Sequence, residues 1–158
     1  MLKDRAWIAR HLPHQGTMCL LDGVLDWDST RVRCLSMAHR SSDNPLRSRG
    51  RLSAVCGIEI AAQAMAVHGA LLQPGAQHGP AAGYLASVRS VNLYVGWLDD
   101  VADDLIAGAE RLGGDAATVL YRFSIHGGHR LLVEGRAAIV LNPPPPGANF
   151  EEHPIESS

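Results

Sequence analysis

Charge is scarce in this chain, and so are cysteines. Of 158 residues (16.9 kDa), only 19% are charged while 46% are hydrophobic. So little charge implies that part of the molecular surface is covered, as in a subunit contact. The net charge of -2 provides no global basic field, which argues against a nucleic-acid binder. The cysteines Cys19, Cys34 and Cys56 are odd in number and far apart. They form neither a disulfide framework nor a metal-ligand pair, which fits a reducing cytoplasm. The first ten residues carry Lys3, Asp4, Arg5 and Arg10 around no apolar centre, so no secretory leader is expected there. No uninterrupted apolar run is expected to span a bilayer. The length suits one domain, expected over residues 1–142. The run Pro143 to Pro146 cannot join a ladder, and residues 143–158 read as a disordered acidic tail.

Against this background, one carboxylate stands out. From Val55 to Val67 every residue except Glu59 is small, apolar or a neutral amide. The stretch reads as a helix from about Ala54 to Leu72, capped by Ser53 and ended by Pro74-Gly75. It is apolar nearly all round, so other structure must wrap it. Burial disfavours an ionised carboxylate and the positive end of a helix favours one. Opposed pulls of this kind tune a carboxyl group for proton transfer.

The rest of the chain reads largely as strands. Asp4 caps a short helix reaching His11, and Pro13 stops it. Met18 to Trp27 and Arg31 to Met37 form a hairpin about the turn Asp28-Ser29-Thr30, with Val32, Cys34 and Ser36 on one side. Residues 38 to 52 form a polar, arginine-rich loop. Four strands follow the helix: Gly83 to Val95, Leu105 to Leu112, Ala117 to His126 and Arg130 to Leu141. The last two form a hairpin. A curved antiparallel sheet around one apolar helix is the economical α+β arrangement, and its open edges could pair with a second sheet.

This order of elements, with three local motifs, resembles the hotdog-fold 3-hydroxyacyl-[acyl-carrier-protein] dehydratases. The motifs are Leu12-Pro13-His14 with Met18-Cys19-Leu20-Leu21-Asp22, then Glu59-Ile60-Ala61-Ala62-Gln63, then Ser87-Val88-Arg89, Asp104-Leu105 and Gly135-Arg136-Ala137. The variant Leu-Pro-His-x-Gly-x-Met, with Ala-Gln-Ala-Met-Ala-Val-His-Gly, is most similar to dehydratase-like proteins of aryl-polyene and related pigment clusters. One departure is plain. The family's Gly-His-Phe-Pro-Gly segment upstream of the helix has no counterpart, because Asn44 to Gly50 contains no histidine.

The resemblance implies dehydration of a 3-hydroxyacyl thioester carried by the phosphopantetheine arm of an acyl carrier protein, without metal or cofactor. Glu59 and His14 are then the expected acid–base pair, with His39 as a further imidazole. His68 lies nine residues beyond Glu59, roughly 180° around the helix at about 100° per residue, and reads as structural. Gln63, one turn after Glu59, would orient carboxylate or substrate. Ala54 and Gly57 would offer N–H donors to the thioester carbonyl, while Met18, Ile58, Ala62 and Met65 would border the acyl chain. Arg47, Arg49 and Arg51, with Arg40, could dock the acidic carrier. The clustered Asp99, Asp100, Asp103 and Asp104 read as solvated turns rather than as a metal site. The expected assembly is a homodimer or larger hotdog oligomer, or a heterodimer with another dehydratase subunit. An acyl thioesterase and a non-catalytic partner subunit remain as alternatives.

Overall fold

The computed structural model describes residues 1–12, 16–73, 83–115 and 117–141. His14, the helix stop expected at Pro74-Gly75 and the tail expected after Leu141 lie outside these residues. Seven antiparallel strands form one sheet in the order β1-β2-β3-β5-β6-β7-β4. They are β1 (Lys3–Asp4), β2 (Gly23–Trp27), β3 (Arg31–Ser36), β4 (Gly83–Leu93), β5 (Leu105–Gly114), β6 (Thr118–Gly127) and β7 (Arg130–Leu141). Two helices accompany them, α1 (Arg5–His11) and α2 (Gly57–Leu72). This is the hotdog arrangement, one helix held in a curved sheet.

Local chemistry sets the elements. The Asp4 carboxylate accepts from the Trp7 N–H at 2.9 Å and so starts α1. Asp28 turns β2 into β3 by accepting from the N–H groups of Thr30 and Arg31 at 2.8 and 2.9 Å. Val32, Cys34 and Ser36 face the core, as the alternation required. Met18 to Asp22 is different from its strand-like reading. Gly16–Met18 is a 3₁₀ turn, and Cys19, Leu20 and Leu21 are buried but lie outside any strand. Side chains take over there: Leu20 gives its N–H to Gln63 and its carbonyl accepts from the Ser36 hydroxyl. The two-residue β1 carried no sequence signal.

Ser53 accepts from the Val55 N–H at 3.2 Å, and a 3₁₀ turn over Ala54–Cys56 leads into α2. By length and composition Ala54–Leu72 could cross a bilayer, contrary to the expectation from its sequence. Its packing shows a core helix instead. Ile60, Ala61, Ala64, Met65, Val67 and Leu71 bury against a sheet face that includes Leu105, Ala107, Phe123, Ile125 and Val133. Burying each large side chain contributes about 1.5–3 kcal/mol. A Cβ on Gly57 would lie 3.2 Å from Val133 Cγ2 and 3.4 Å from Ile125 Cγ1, so this glycine lets the helix start tight against the strands. At the sheet margins, β1 is only two residues long, whereas among the described residues the eleven-residue β4 pairs with β7 alone.

Candidate active site

Not all of α2 is buried. Ile58, Glu59, Ala62, Ala66 and Gly69 are half-buried, and Val55, just before the helix, is exposed. At spacings of three and four these residues form one stripe. The stripe is apolar or small except for Glu59, which sits in the first turn of the helix.

Gln63 fixes the chemistry around that carboxylate. It is fully buried one turn below Glu59. Its Oε1 accepts from the Leu20 N–H at 2.9 Å, and its Nε2 donates to the Met18 carbonyl at 2.8 Å and to Glu59 Oε2 at 3.3 Å. Each amide atom has a partner of the opposite kind, so the amide has one satisfactory orientation. Gln63 therefore joins the segment after Leu12-Pro13-His14 to the helix carboxylate. The spacing of Glu59 and Gln63 was readable in the sequence, but the backbone partners 43 and 45 residues away were not.

The expected carbonyl donors are engaged within the chain. Ala54 N–H donates to the Gly96 carbonyl at 3.0 Å, Cys56 N–H to Ser53 at 2.9 Å, and Gly57 N–H to Ala54 and Val55. Val55 alone among these four gives its N–H to a side chain, the Ser53 hydroxyl. Sequence reasoning also missed Asp99. Its carboxylate accepts from Leu52 N–H at 2.9 Å and Arg51 Nε at 2.7 Å, tying the approach to α2 onto the loop after β4. The acidic pair at 99 and 100 was the available signal.

The arginines of the loop hold it together. Arg47 donates to the carbonyls of Ser41, Gly50 and His39 at 2.8, 2.7 and 3.1 Å. Arg51 also meets Asp100 at 2.9 Å and lies over the Trp97 ring. Arg40 pairs with Asp104 and with the Ala102 carbonyl. Arg49 is exposed, with φ of 54°.

The two described core imidazoles, His39 and His68, are both hydrogen-bonded within the fold. His68 donates from Nε2 to the Asp28 carbonyl at 2.8 Å, so its Nδ1 accepts the Tyr121 hydroxyl at 2.7 Å. Burial lowers the His68 pKa and pushes Tyr121 up to about 12. His39 is buried against the Val101 carbonyl, and burial lowers its pKa too. Among the described residues, no three His, Cys, Asp or Glu side chains gather as a metal site. A cleft of about 410 Å³ lies between the loop after β4 and the β6–β7 turn, lined by Trp97, Asp100, Asp103, Arg130 and Leu132 among others; Glu59 and Gln63 are not part of it.

Comparison with known proteins agrees with this architecture. The dehydratase heterocomplex ApeI:P from Xenorhabdus doucetiae contains a chain 24% identical, with a TM-score of 0.76, over 86% of this chain and 91% of that one. Zebrafish thioesterase superfamily member 2 superposes with a TM-score of 0.62 at 13% identity, covering 87% of this chain and 93% of that one. A thioesterase variant from Pseudomonas aeruginosa gives 0.56 at 13% identity over 75% and 79%. At these identities the likeness establishes the hotdog fold. No curated protein sequence matches. The pattern of the ApeP-like family, described as ApeP dehydratase, matches residues 6–151, and the chain therefore belongs to the ApeP-like dehydratase family.

Proposed function

We propose that this protein takes part in dehydrating a 3-hydroxyacyl thioester, carried on an acyl carrier protein, to the 2-enoyl thioester in polyene or fatty-acid-like biosynthesis in the cytoplasm. The observation that carries this reading is Glu59, the one carboxylate on the half-buried apolar stripe of α2, oriented by the buried Gln63. In the reaction the C–H bond beside the carbonyl breaks, its electron pair becomes the C=C bond, and the C–O bond breaks to release water. Glu59 hydrogen-bonds and protonates the departing hydroxyl. His14, four residues before the Met18 carbonyl that Gln63 holds, takes the carbon-bound proton. The thioester carbonyl sits near Val55, whose N–H can exchange the Ser53 hydroxyl for it at modest cost.

A second hotdog subunit joins at the open edge of β4. There Val88 and Leu93 are 38% and 44% exposed, and each pairs with a buried residue of β7, Ala137 and Val133, so they lie on the face that carries α2. The heterocomplex formed by the Xenorhabdus protein supports such an assembly.

The test offers a 3-hydroxyacyl carrier protein to this chain, alone and with a second hotdog subunit from the same source, and follows enoyl thioester formation. Glu59→Gln should retain the fold and lose at least about a hundredfold in turnover, the usual contribution of a positioned acid. Undiminished turnover by Glu59→Gln would refute its role. Free thiol and free acid as the products would identify a thioesterase instead.

A further inference from the structure

The approach to α2 is held by a short ladder that one side chain completes. Ser53 and Trp97 face each other as an antiparallel pair. Around them Leu98 N–H donates to the Leu52 carbonyl at 2.8 Å, and Ala54 N–H to the Gly96 carbonyl at 3.0 Å. In a regular ladder Leu52 and Leu98 would exchange both bonds, and the Leu52 N–H would go to the Leu98 carbonyl. Here that carbonyl is used otherwise. The chain turns into a 3₁₀ helix over Leu98–Asp100, and Val101 N–H donates to Leu98 at 3.0 Å. The Asp99 carboxylate replaces it. One oxygen accepts from Leu52 N–H at 2.9 Å and the other from Arg51 Nε at 2.7 Å. The Asp99 side chain is only 12% exposed. Burial raises its pKa, but the Leu52 N–H and Arg51 outweigh burial and hold it below the usual carboxylate range. The acceptor is therefore ionised at neutral pH.

This contact bears on the helix start. Leu52 is fully buried, so its N–H has no water to turn to. The next residue, Ser53, has φ of -65° and ψ of 147°, and its hydroxyl accepts from Val55 N–H at 3.2 Å. That bond is longer than the 2.8 to 3.0 Å bonds beside it, and Val55 is the donor placed at the thioester carbonyl above. Glu59 follows one turn later. The direction of the Val55 N–H thus depends on where Leu52 and Ser53 stand. Arg51 steadies the carboxylate from its other side, lying 4.5 Å over the Trp97 ring and 2.9 Å from Asp100. Burial already joins the two segments, because Leu52 and Leu98 are both fully buried. The carboxylate adds direction, and direction is what a carbonyl donor needs.

We infer that Asp99 is a positioning residue for the dehydration: through Leu52 and Ser53 it aims the Val55 N–H at the thioester carbonyl as negative charge builds on that oxygen. It acts through the backbone and not on the substrate. This deepens the function proposed above and rests on it.

Three variants of the full chain test the inference, in the carrier-protein assay above and with the second subunit present. Asp99→Ala removes both bonds. Its kcat should fall at least about tenfold while KM changes less than about twofold, because a misdirected donor matters most when the oxyanion forms. Asp99→Asn keeps an oxygen for the Leu52 N–H and gives up Arg51, so it should recover most of kcat. Asp99→Glu keeps the charge but displaces the acceptor by one methylene. Its kcat should lie below that of Asp99→Asn, which keeps the test intact if Asp99→Ala does not fold. Hydrogen exchange in the resting protein gives a second reading. In Asp99→Ala, or in Asp99→Glu in its place, the Leu52 and Val55 amides should accelerate more than Phe123 on β6, whose exchange follows global stability. Undiminished kcat in Asp99→Ala, or in Asp99→Glu where alanine does not fold, would overturn the inference. So would an equal loss in the alanine and asparagine variants. If wild type makes no enoyl product, the reaction falls and the amides alone judge the contact. Equal acceleration at Leu52, Val55 and Phe123 would then overturn it as well.

Discussion

Gln63→Leu would separate the two halves of the site. Leucine keeps much of the volume and removes three hydrogen bonds, to Leu20 N–H, the Met18 carbonyl and Glu59. Leu20 is fully buried, so its N–H loses its partner where water cannot replace it; such a group costs about 1–3 kcal/mol. Met18 is 37% exposed, and its carbonyl can turn to water, leaving only the net loss of an ordinary bond, about 1 kcal/mol. The sum, about 2–4 kcal/mol, lowers the Tm by roughly 4–16 °C for a domain of this size. Urea unfolding followed by circular dichroism gives the free energy, and hydrogen exchange at the Leu20 amide should accelerate. A loss below about 0.5 kcal/mol with the Leu20 amide still protected would refute the tether, because it would mean that N–H has another acceptor. Gln63→Glu adds a signed check. A second carboxylate beside Glu59, facing the Met18 carbonyl, has its folded pKa raised. Its protonated form is the one that fits, so the variant's stability relative to wild type is highest at acid pH. That stability is lost as pH rises through the raised value.

Other expectations follow from single contacts. Burial lowers the folded pKa of both His68 and His39, so wild-type stability should decline as pH falls below the free-imidazole value of 6.5, where the unfolded chain takes up protons first. Urea midpoints at successive pH values should show this, and the decline should shrink in His68→Gln. A Cβ on Gly135 would meet Phe123 Cζ at 2.8 Å and Val91 Cγ2 at 3.1 Å, so Gly135→Ala should cost about 1–3 kcal/mol by overpacking in thermal unfolding. Arg47→Lys keeps the charge but cannot hold three carbonyls with a planar fork. Limited proteolysis should then cut residues 39–51 faster, while Arg49→Lys, with no described partner, should leave the cleavage rate unchanged.

The architecture was legible because it rests on short-range rules. Alternation placed Val32, Cys34 and Ser36 on the buried side of β3, capping chemistry placed the starts at Asp4 and Ser53, and glycine and aspartate marked the turns. The segment Met18 to Asp22 was misread because a buried apolar run looks the same whether a ladder or side chains satisfy its backbone. The arginines at 47 and 51 drew a docking role from their charge, and their contacts within the chain, to carbonyls and aspartates far along it, had no sequence signal.

By itself the sequence determined the single carboxylate on an apolar helix and the strand pattern that must wrap it, since hydrophobic period and charge scarcity are properties of neighbours along the chain. Only the tertiary structure decided which backbone Gln63 grips, and which imidazoles are walled into the core. Those facts come from strand register and long-range packing, in which residues far apart in the chain become neighbours in space.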